Sequence, residues 1–170
     1  MRSMPLWLSK NWPIAALVAS AAMLATAHIF QQLGYAPCEL CLRQREVYWA
    51  AIAAAVVSIV GLRFYSKAAP IAAIVLGLIF LTGAGVAAYH SGVEWKWWPG
   101  PTSCSTSLSA LDPKNLLEAL DKPMRPPSCE DAAWRLFGIS MAGYNALISL
   151  ALAALSLLAA APPKPAPEHD

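Results

Sequence analysis

The chain has 170 residues, 58% of them hydrophobic and only 13% charged, with a formal net charge of +2. Neither a strongly basic nor a strongly acidic partner surface is written into it, and without a Lys/Arg run there is no footprint for nucleic acid. The apolar residues instead gather in four blocks, about 13–31, 46–62, 71–89 and 139–161. Each suffices to cross a hydrocarbon layer of roughly 30 Å, which takes about 20 helical residues. Because irregular chain cannot face lipid, the predicted fold is all-α, a polytopic four-transmembrane-helix bundle. It occupies a single domain at 1–162, with loops at about 32–45 and 90–138 on one side of the bilayer, the longer holding short helices, and a disordered tail at 163–170.

Arg2 and Lys10 precede the first block, and Trp7 and Trp12 suit the headgroup level. The positive flank, apolar run and Ala25-Thr26-Ala27 also fit a cleavable signal peptide. Cleavage would leave three spans and carry Cys38 and Cys41 close to a free N-terminus, so a retained first helix is expected. His28, Gln31 and Gln32 at its far end read as interfacial polar residues. Gly34-Tyr35-Ala36-Pro37 then turns the chain, and Pro37 suits the first turn of a helix that begins close to Cys38 or Cys41. In that turn the helix dipole and unpaired backbone N–H groups favour a thiolate. Arg45, at i+4 from Cys41, adds its charge on the same face, whereas Arg43 faces elsewhere and snorkels to headgroups.

The second block ends at Gly61-Leu62-Arg63, and a short link holding Arg63 and Lys67 leads to Pro70. In the third, Ala73 and Gly77 lie four apart, with Gly83 and Gly85 beyond, a composition that lets helices approach closely. Tyr89 and His90 close that span, and the topology returns His90 to the membrane face bearing Cys38 and Cys41. There its imidazole is able to change charge near neutral pH. The segment 91–138 is too short and too rich in proline to build a core of its own, and reads as a lid or tether. Trp95, Trp97 and Trp98 anchor its start, and Pro99-Gly100-Pro101-Thr102-Ser103 presents Cys104 on an extended loop able to meet another protein. Asp112-Pro113 signals a short helix whose Leu116, Leu117 and Leu120 form an apolar stripe along the membrane. After Pro123, Pro126 and Pro127, the capping-box spacing of Ser128 and Asp131 predicts a helix opened by Cys129.

The N-terminal segment and the middle link each hold two basic residues. The long loop holds five, Lys96, Lys114, Lys122, Arg125 and Arg135, but six acidic residues offset them and long loops weigh little in orientation. Both termini are therefore expected inside. All four cysteines, Cys38, Cys41, Cys104 and Cys129, then face the outer, oxidising side, where disulfides persist.

Zinc is a poor account of these cysteines, because Cys104 and Cys129 lack the close second pair of a ribbon and no histidine spacing completes a finger. Haem attachment needs a histidine directly after the second cysteine, where Leu42 stands. A four-span scaffold or adhesion protein braced by structural disulfides is the stronger competitor. Such a pair, however, gains nothing from Arg45 one turn away, and the two-residue gap of Cys38-Glu39-Leu40-Cys41 is typical of redox motifs.

Cys38-Glu39-Leu40-Cys41 with Arg45, together with His90, Cys104, Cys129 and the run CEDAAWRLFGISM from Cys129 to Met141, resembles the bacterial disulfide bond formation protein B family, DsbB. The likeness covers nearly the whole chain. It implies a multi-pass inner-membrane enzyme, termini cytoplasmic and cysteines periplasmic, that passes electrons from a periplasmic DsbA-type thiol oxidase to a membrane quinone, ubiquinone or menaquinone. The family's relay is itself the known instance of a periplasm kept oxidising through quinone. The resemblance assigns Cys104 as the residue that forms the mixed disulfide with DsbA and Cys129 as its partner. Cys129 then exchanges with Cys38, Cys41 is the thiolate closest to the quinone, and Arg45 and His90 stand at the quinone head group. No metal is implied. Gln44 stands where several family members carry Glu, so a proton role for that acid is not carried over.

Two pairs answer two demands. Thiol exchange needs in-line access to a sulfur, which an aqueous loop supplies, while a lipid-confined quinone needs a pair at the helix ends. Within the same chemistry, a paralogue serving another thiol oxidase and relatives of vitamin K epoxide reductase, also four-helix bundles with a CxxC, remain as alternatives.

Overall fold

The computed structural model describes residues 6–101 and 128–161, with side chains from residue 10 onward. Cys104, the short helix expected after Asp112, Pro123 to Pro127, and the tail at 163–170 lie outside the described residues. Four helices carry the fold: α1, Leu6–Gln32; α2, Glu39–Phe64; α3, Ala69–Glu94; and α4, Met141–Ala160. All four are long and apolar enough to cross a membrane. A 3₁₀ turn at Ser66–Ala68 joins α2 to α3, where Pro70 lies in the first turn, a position that loses no helical hydrogen bond.

The helices outrun the apolar blocks. Pro13 lies inside α1 instead of opening it, and α3 continues past His90 to Glu94. The early start of α2 has a visible cause: Cys38 caps it, its sulfur accepting the Cys41 N–H. The charges that follow do not interrupt the helix, because Arg43 pairs with Glu39 at i−4 (3.2 Å) and with Glu46 at i+3 (3.3 Å). Arg43 thus pairs with two carboxylates of its own helix.

The helix expected to open at Cys129 is absent; residues 129–131 are bends and the chain stays irregular to Trp134. Ser128 Oγ accepts the N–H of Glu130, two residues on, at 3.1 Å. That local bond is a serine turn, which serves irregular chain as well as a helix start. A small hairpin follows, β1 at Arg135–Leu136 against β2 at Ile139–Ser140, antiparallel. Its two turn residues, Phe137 (φ 49°) and Gly138 (φ 81°), both lie in the left-handed region, as the tightest hairpin turns demand. Ser140 then caps α4, its hydroxyl accepting the Gly143 N–H.

The interior is built from small side chains. Ala16, Ala51, Ala55, Ala73 and Ala153 are buried with Leu76 and Phe80, whereas Val57, Phe64 and Leu78 point outward. This arrangement suits lipid, which is as apolar as leucine and leaves close packing and hydrogen bonds to hold helices together. The largest interface is α3 against α4. A side chain at Gly77 would bring its Cβ within 3.1 Å of Ser156, so this glycine sets the approach. Trp12 departs from its expected headgroup position: it is buried, and its indole N–H donates to Ser156 Oγ on α4 at 2.9 Å. Trp95, Trp97 and Trp98 do form an exposed aromatic cluster past α3, with Trp98 stacked on Tyr89.

Candidate active site

The site forms where α2 begins, α3 ends and α4 begins. Cys38 and Cys41 are free thiols whose sulfurs lie 2.7 Å apart, Cys38 buried and Cys41 half-buried. The helix-start geometry favours negative charge on Cys38, because its sulfur takes the Cys41 N–H at 3.3 Å. Two stronger effects oppose it. The hydrogen bond to the Cys41 sulfur, first, and burial, second, push the Cys38 thiol well up from its ordinary range. Cys38 therefore holds its proton. The helix start, expected to favour a thiolate at both positions, divides the pair into a protonated thiol and its hydrogen-bond partner.

His90 joins this pair from α3. Its Nε2 is 3.6 Å from Cys38 Sγ and its Nδ1 is 2.7 Å from the Gln44 amide nitrogen. Gln44, buried, accepts in turn from Asn145 Nδ2 of α4, and Asn145 Oδ1 accepts from the Tyr48 hydroxyl. One helical turn beyond His90 lies Glu94, also buried, with Oε1 3.9 Å from His90 Nε2 and no hydrogen-bond partner for Oε2 among the described residues. A polar thread thus crosses three helices.

Arg45 reaches from α2 to α1. Its guanidinium donates to Gln31 Oε1 (2.6 Å) and to the Ala27 carbonyl (3.1 Å). Gln31, read in the sequence as an interfacial polar residue, holds this cation in place. Beside it opens a cavity of about 1230 Å³. Cys41, Arg45, His90 and Glu94 contribute polar groups to its wall, and Met23, Leu24, Phe30, Trp134 and Ile148 contribute apolar surface. Trp134, from the irregular segment after Cys129, packs against Phe30 with ring centroids 5.5 Å apart. The cavity therefore has a fixed cation and a sulfur at one side and aromatic and aliphatic walls around them. Ligand pockets of roughly 300–1,000 Å³ hold drug-sized molecules, so an apolar ring with polar oxygens fits this space in both size and chemistry.

Cys129 is fully buried and disulfide-bonded. Its sulfur, Cys38 Sγ and a His90 ring nitrogen all lie within 4.8 Å of one another. Three such atoms have the proximity of metal ligands. A disulfide sulfur is not a thiolate, however, and the two remaining groups fall short of the four ligands of a structural zinc site. The fold thus brings Cys38, Cys41, Arg45, His90 and Cys129 to one place, while Cys104 lies outside the described residues.

Glu94, Tyr48 and Asn145 are site residues that the motifs do not signal. The buried positions of α2 run Leu40, Gln44, Tyr48, Ala51, Ala55, and those of α4 include Ala142, Asn145, Ser149, Ala153 and Ser156. Polar residues at three- and four-residue spacing within an apolar span are the available sign, since lipid-facing positions exclude them.

A family model described as disulfide bond formation protein DsbB matches residues 9–159. No curated protein and no solved structure matches the chain.

Proposed function

The chain belongs to the DsbB family, membrane oxidoreductases of disulfide bond formation, and from that premise we propose that it is a thiol:quinone oxidoreductase reoxidising a periplasmic DsbA-type thiol oxidase. The observation that carries this reading is the meeting of Cys129 Sγ with Cys38 Sγ within 4.8 Å, while Cys38 stands 2.7 Å from Cys41 and Cys41 lines the cavity. That alignment supports a route for electrons from a loop disulfide to a helix-end pair.

The exchange balances in thiol–disulfide terms. A thiolate of the reduced thiol oxidase attacks Cys104 of a Cys104–Cys129 disulfide, so that the mixed disulfide forms and Cys129 leaves as a thiolate. The oxidase's second thiolate then breaks the mixed disulfide, releasing the oxidised partner and a Cys104 thiolate. The Cys129 thiolate then attacks Cys38 of an oxidised Cys38–Cys41 pair; the Cys38–Cys129 bond forms, the Cys38–Cys41 bond breaks, and Cys41 leaves as a thiolate. When the Cys104 thiolate attacks Cys129, the loop disulfide re-forms and Cys38 is released. Two electrons have moved inward, with no net loss. The state with Cys129 in a disulfide and Cys38 and Cys41 as free thiols matches the end of this exchange.

A bound quinone, ubiquinone or menaquinone, supplies a two-electron, two-proton acceptor more oxidising than a thiol buffer. Its ring would lie against the apolar wall at Phe30 and Trp134, with Arg45 presenting positive charge to an oxygen and Cys41 the reactive sulfur. His90 belongs to the same wall, but both its ring nitrogens are engaged, by Gln44 and by Cys38. The orientation that follows is an inner-membrane one, with both termini cytoplasmic and the cysteines periplasmic. A structural-disulfide scaffold has no use for two free thiols in contact beside a cation-lined cavity.

The test is oxidation of reduced DsbA by the purified protein with ubiquinone or menaquinone. Steady turnover is expected with the parent chain and none with Cys104→Ser. Absence of quinone-dependent turnover in the parent would remove the proposal, and undiminished turnover in Cys104→Ser would remove its entry point.

A further inference from the structure

The side chains between Tyr48 and Cys38 form a hydrogen-bond chain that runs in one direction. The Tyr48 hydroxyl donates to Asn145 Oδ1, and Ser149 Oγ lies 2.9 Å from the Tyr48 oxygen and 3.3 Å from Asn145 Oδ1. With Asn145 Oδ1 turned to these hydroxyls, the Asn145 amide nitrogen lies on the opposite side, where it donates to Gln44 Oε1. Only the Gln44 amide nitrogen is then left for His90 Nδ1, 2.7 Å away. An amide nitrogen donates and does not accept, so Nδ1 is the bare nitrogen of a neutral imidazole. The ring proton sits on Nε2, which faces Cys38 Sγ at 3.6 Å.

We infer that Gln44 is a positioning residue which, together with Asn145 and Tyr48, holds His90 in the Nε2–H tautomer, so that the imidazole donates to the Cys38 sulfur and does not take its proton. The consequence rests on the thiol:quinone reading above. When Cys38 is released from Cys129 it leaves as a thiolate, and a donor at Nε2 stabilises that leaving sulfur. A carboxylate at position 44 would do the opposite. Being acceptor-only, it would draw the ring proton to Nδ1 and leave Nε2 bare, turning His90 from a donor into a base toward Cys38. The amide at this position therefore selects the chemistry of a histidine on another helix.

The test measures the tautomer directly. The chain has three histidines, so a His28→Gln, His169→Gln background leaves His90 alone for ¹⁵N-histidine labelling and NMR of the full chain, with Cys38 and Cys41 reduced. The expected result is Nε2–H in this background and Nδ1–H in both Gln44→Glu and Asn145→Asp. Asn145→Asp is the decisive variant. It makes no contact with His90, yet an ionised carboxylate there, its charge state read from the ¹³C carboxyl shift at raised pH, is acceptor-only and would turn the Gln44 amide around, an effect that loss of packing alone would not produce. Nδ1–H in the parent background overturns the inference, as does Nε2–H persisting in Asn145→Asp. Gln44→Glu is nearly isosteric, so its readout does not depend on a rebuilt core. An Nε2–H parent that oxidises no DsbA would sink the proposed function and leave the tautomer assignment standing.

Discussion

The two ends of the bundle both bury polar groups, but they do so in different ways. At the end where α2 begins, Cys38, His90, Gln44, Asn145 and Tyr48 are linked one to the next across three helices, beside a large cavity. At the other end Trp12 donates to Ser156 and ties α1 to α4, and the neighbouring cavity, about 220 Å³, is lined by residues such as Lys10 and Arg63. Each member of the linked end fixes the donor or acceptor role of its neighbour. At the other end the bond begins and ends locally. Buried polarity in lipid is costly when unpaired, and the bonds at both ends answer that demand, Glu94 Oε2 excepted, but only the linked one makes a distant residue matter to a sulfur.

The largest expected effect on this contrast comes from Cys41→Ser, which should abolish quinone-dependent oxidation of reduced DsbA while leaving thermal unfolding near that of the parent chain. Retained turnover would show that Cys41 is not the sulfur serving the cavity. Arg45→Ala should come next. Its charge-assisted bonds to Gln31 and Ala27 place the guanidinium beside the cavity, and a hydrogen bond to a charged group contributes about 1.5–3 kcal/mol. The apparent KM for quinone should therefore rise about tenfold or more, and unchanged quinone kinetics would detach Arg45 from the site.

A third outcome separates the two thiols. The Cys38 thiol is pushed up by its bond to Cys41 and by burial, so it keeps its proton as pH rises through the ordinary thiol range. Alkylation of the reduced pair at mildly alkaline pH should label Cys41, and labelling of Cys38 should not climb over that interval. Mass spectrometry locates the label. Equal labelling of the two would break the division of the pair.

The four spans were legible because lipid demands long apolar helices, and nothing else in a chain looks like them. The exact start of α2 was less so: charged residues usually mark a span's edge, yet Arg43 finds Glu39 and Glu46 on its own helix and a cysteine supplies the cap. The helix expected at Cys129 did not form: the bond from Ser128 to the residue two ahead is common to helix starts and irregular chain, so spacing alone does not decide between them. Trp12 was misplaced for a related reason, since an indole N–H suits a headgroup and a buried hydroxyl equally well. In the site, Cys38, Cys41, Arg45 and His90 stood out by residue type and by the face to which the topology returns them. Asn145 did not. Its role depends on the register of α4 against α2, which no local pattern encodes.

The smallest expected effect tests the quiet end. Ser156 is fully buried on α4 and accepts the Trp12 N–H while its own hydroxyl donates to the Leu152 carbonyl. Ser156→Ala removes the acceptor with almost no change of volume and leaves one indole N–H unpaired inside the bundle. Interhelical hydrogen bonds measured in membranes average about 0.6 kcal/mol, so unfolding in mild detergent should move by about that amount. DsbA oxidation should not change, because among the described residues the bonds of Ser156 run to Trp12 and Leu152 and not toward Cys38. Tyr48→Phe, in contrast, deletes a hydroxyl similarly buried but within the linked end, and should slow turnover more than its stability loss explains. If Ser156→Ala slows turnover as much as Tyr48→Phe does, the two ends are coupled through α4 itself, and the hydrogen-bond chain is not what separates them.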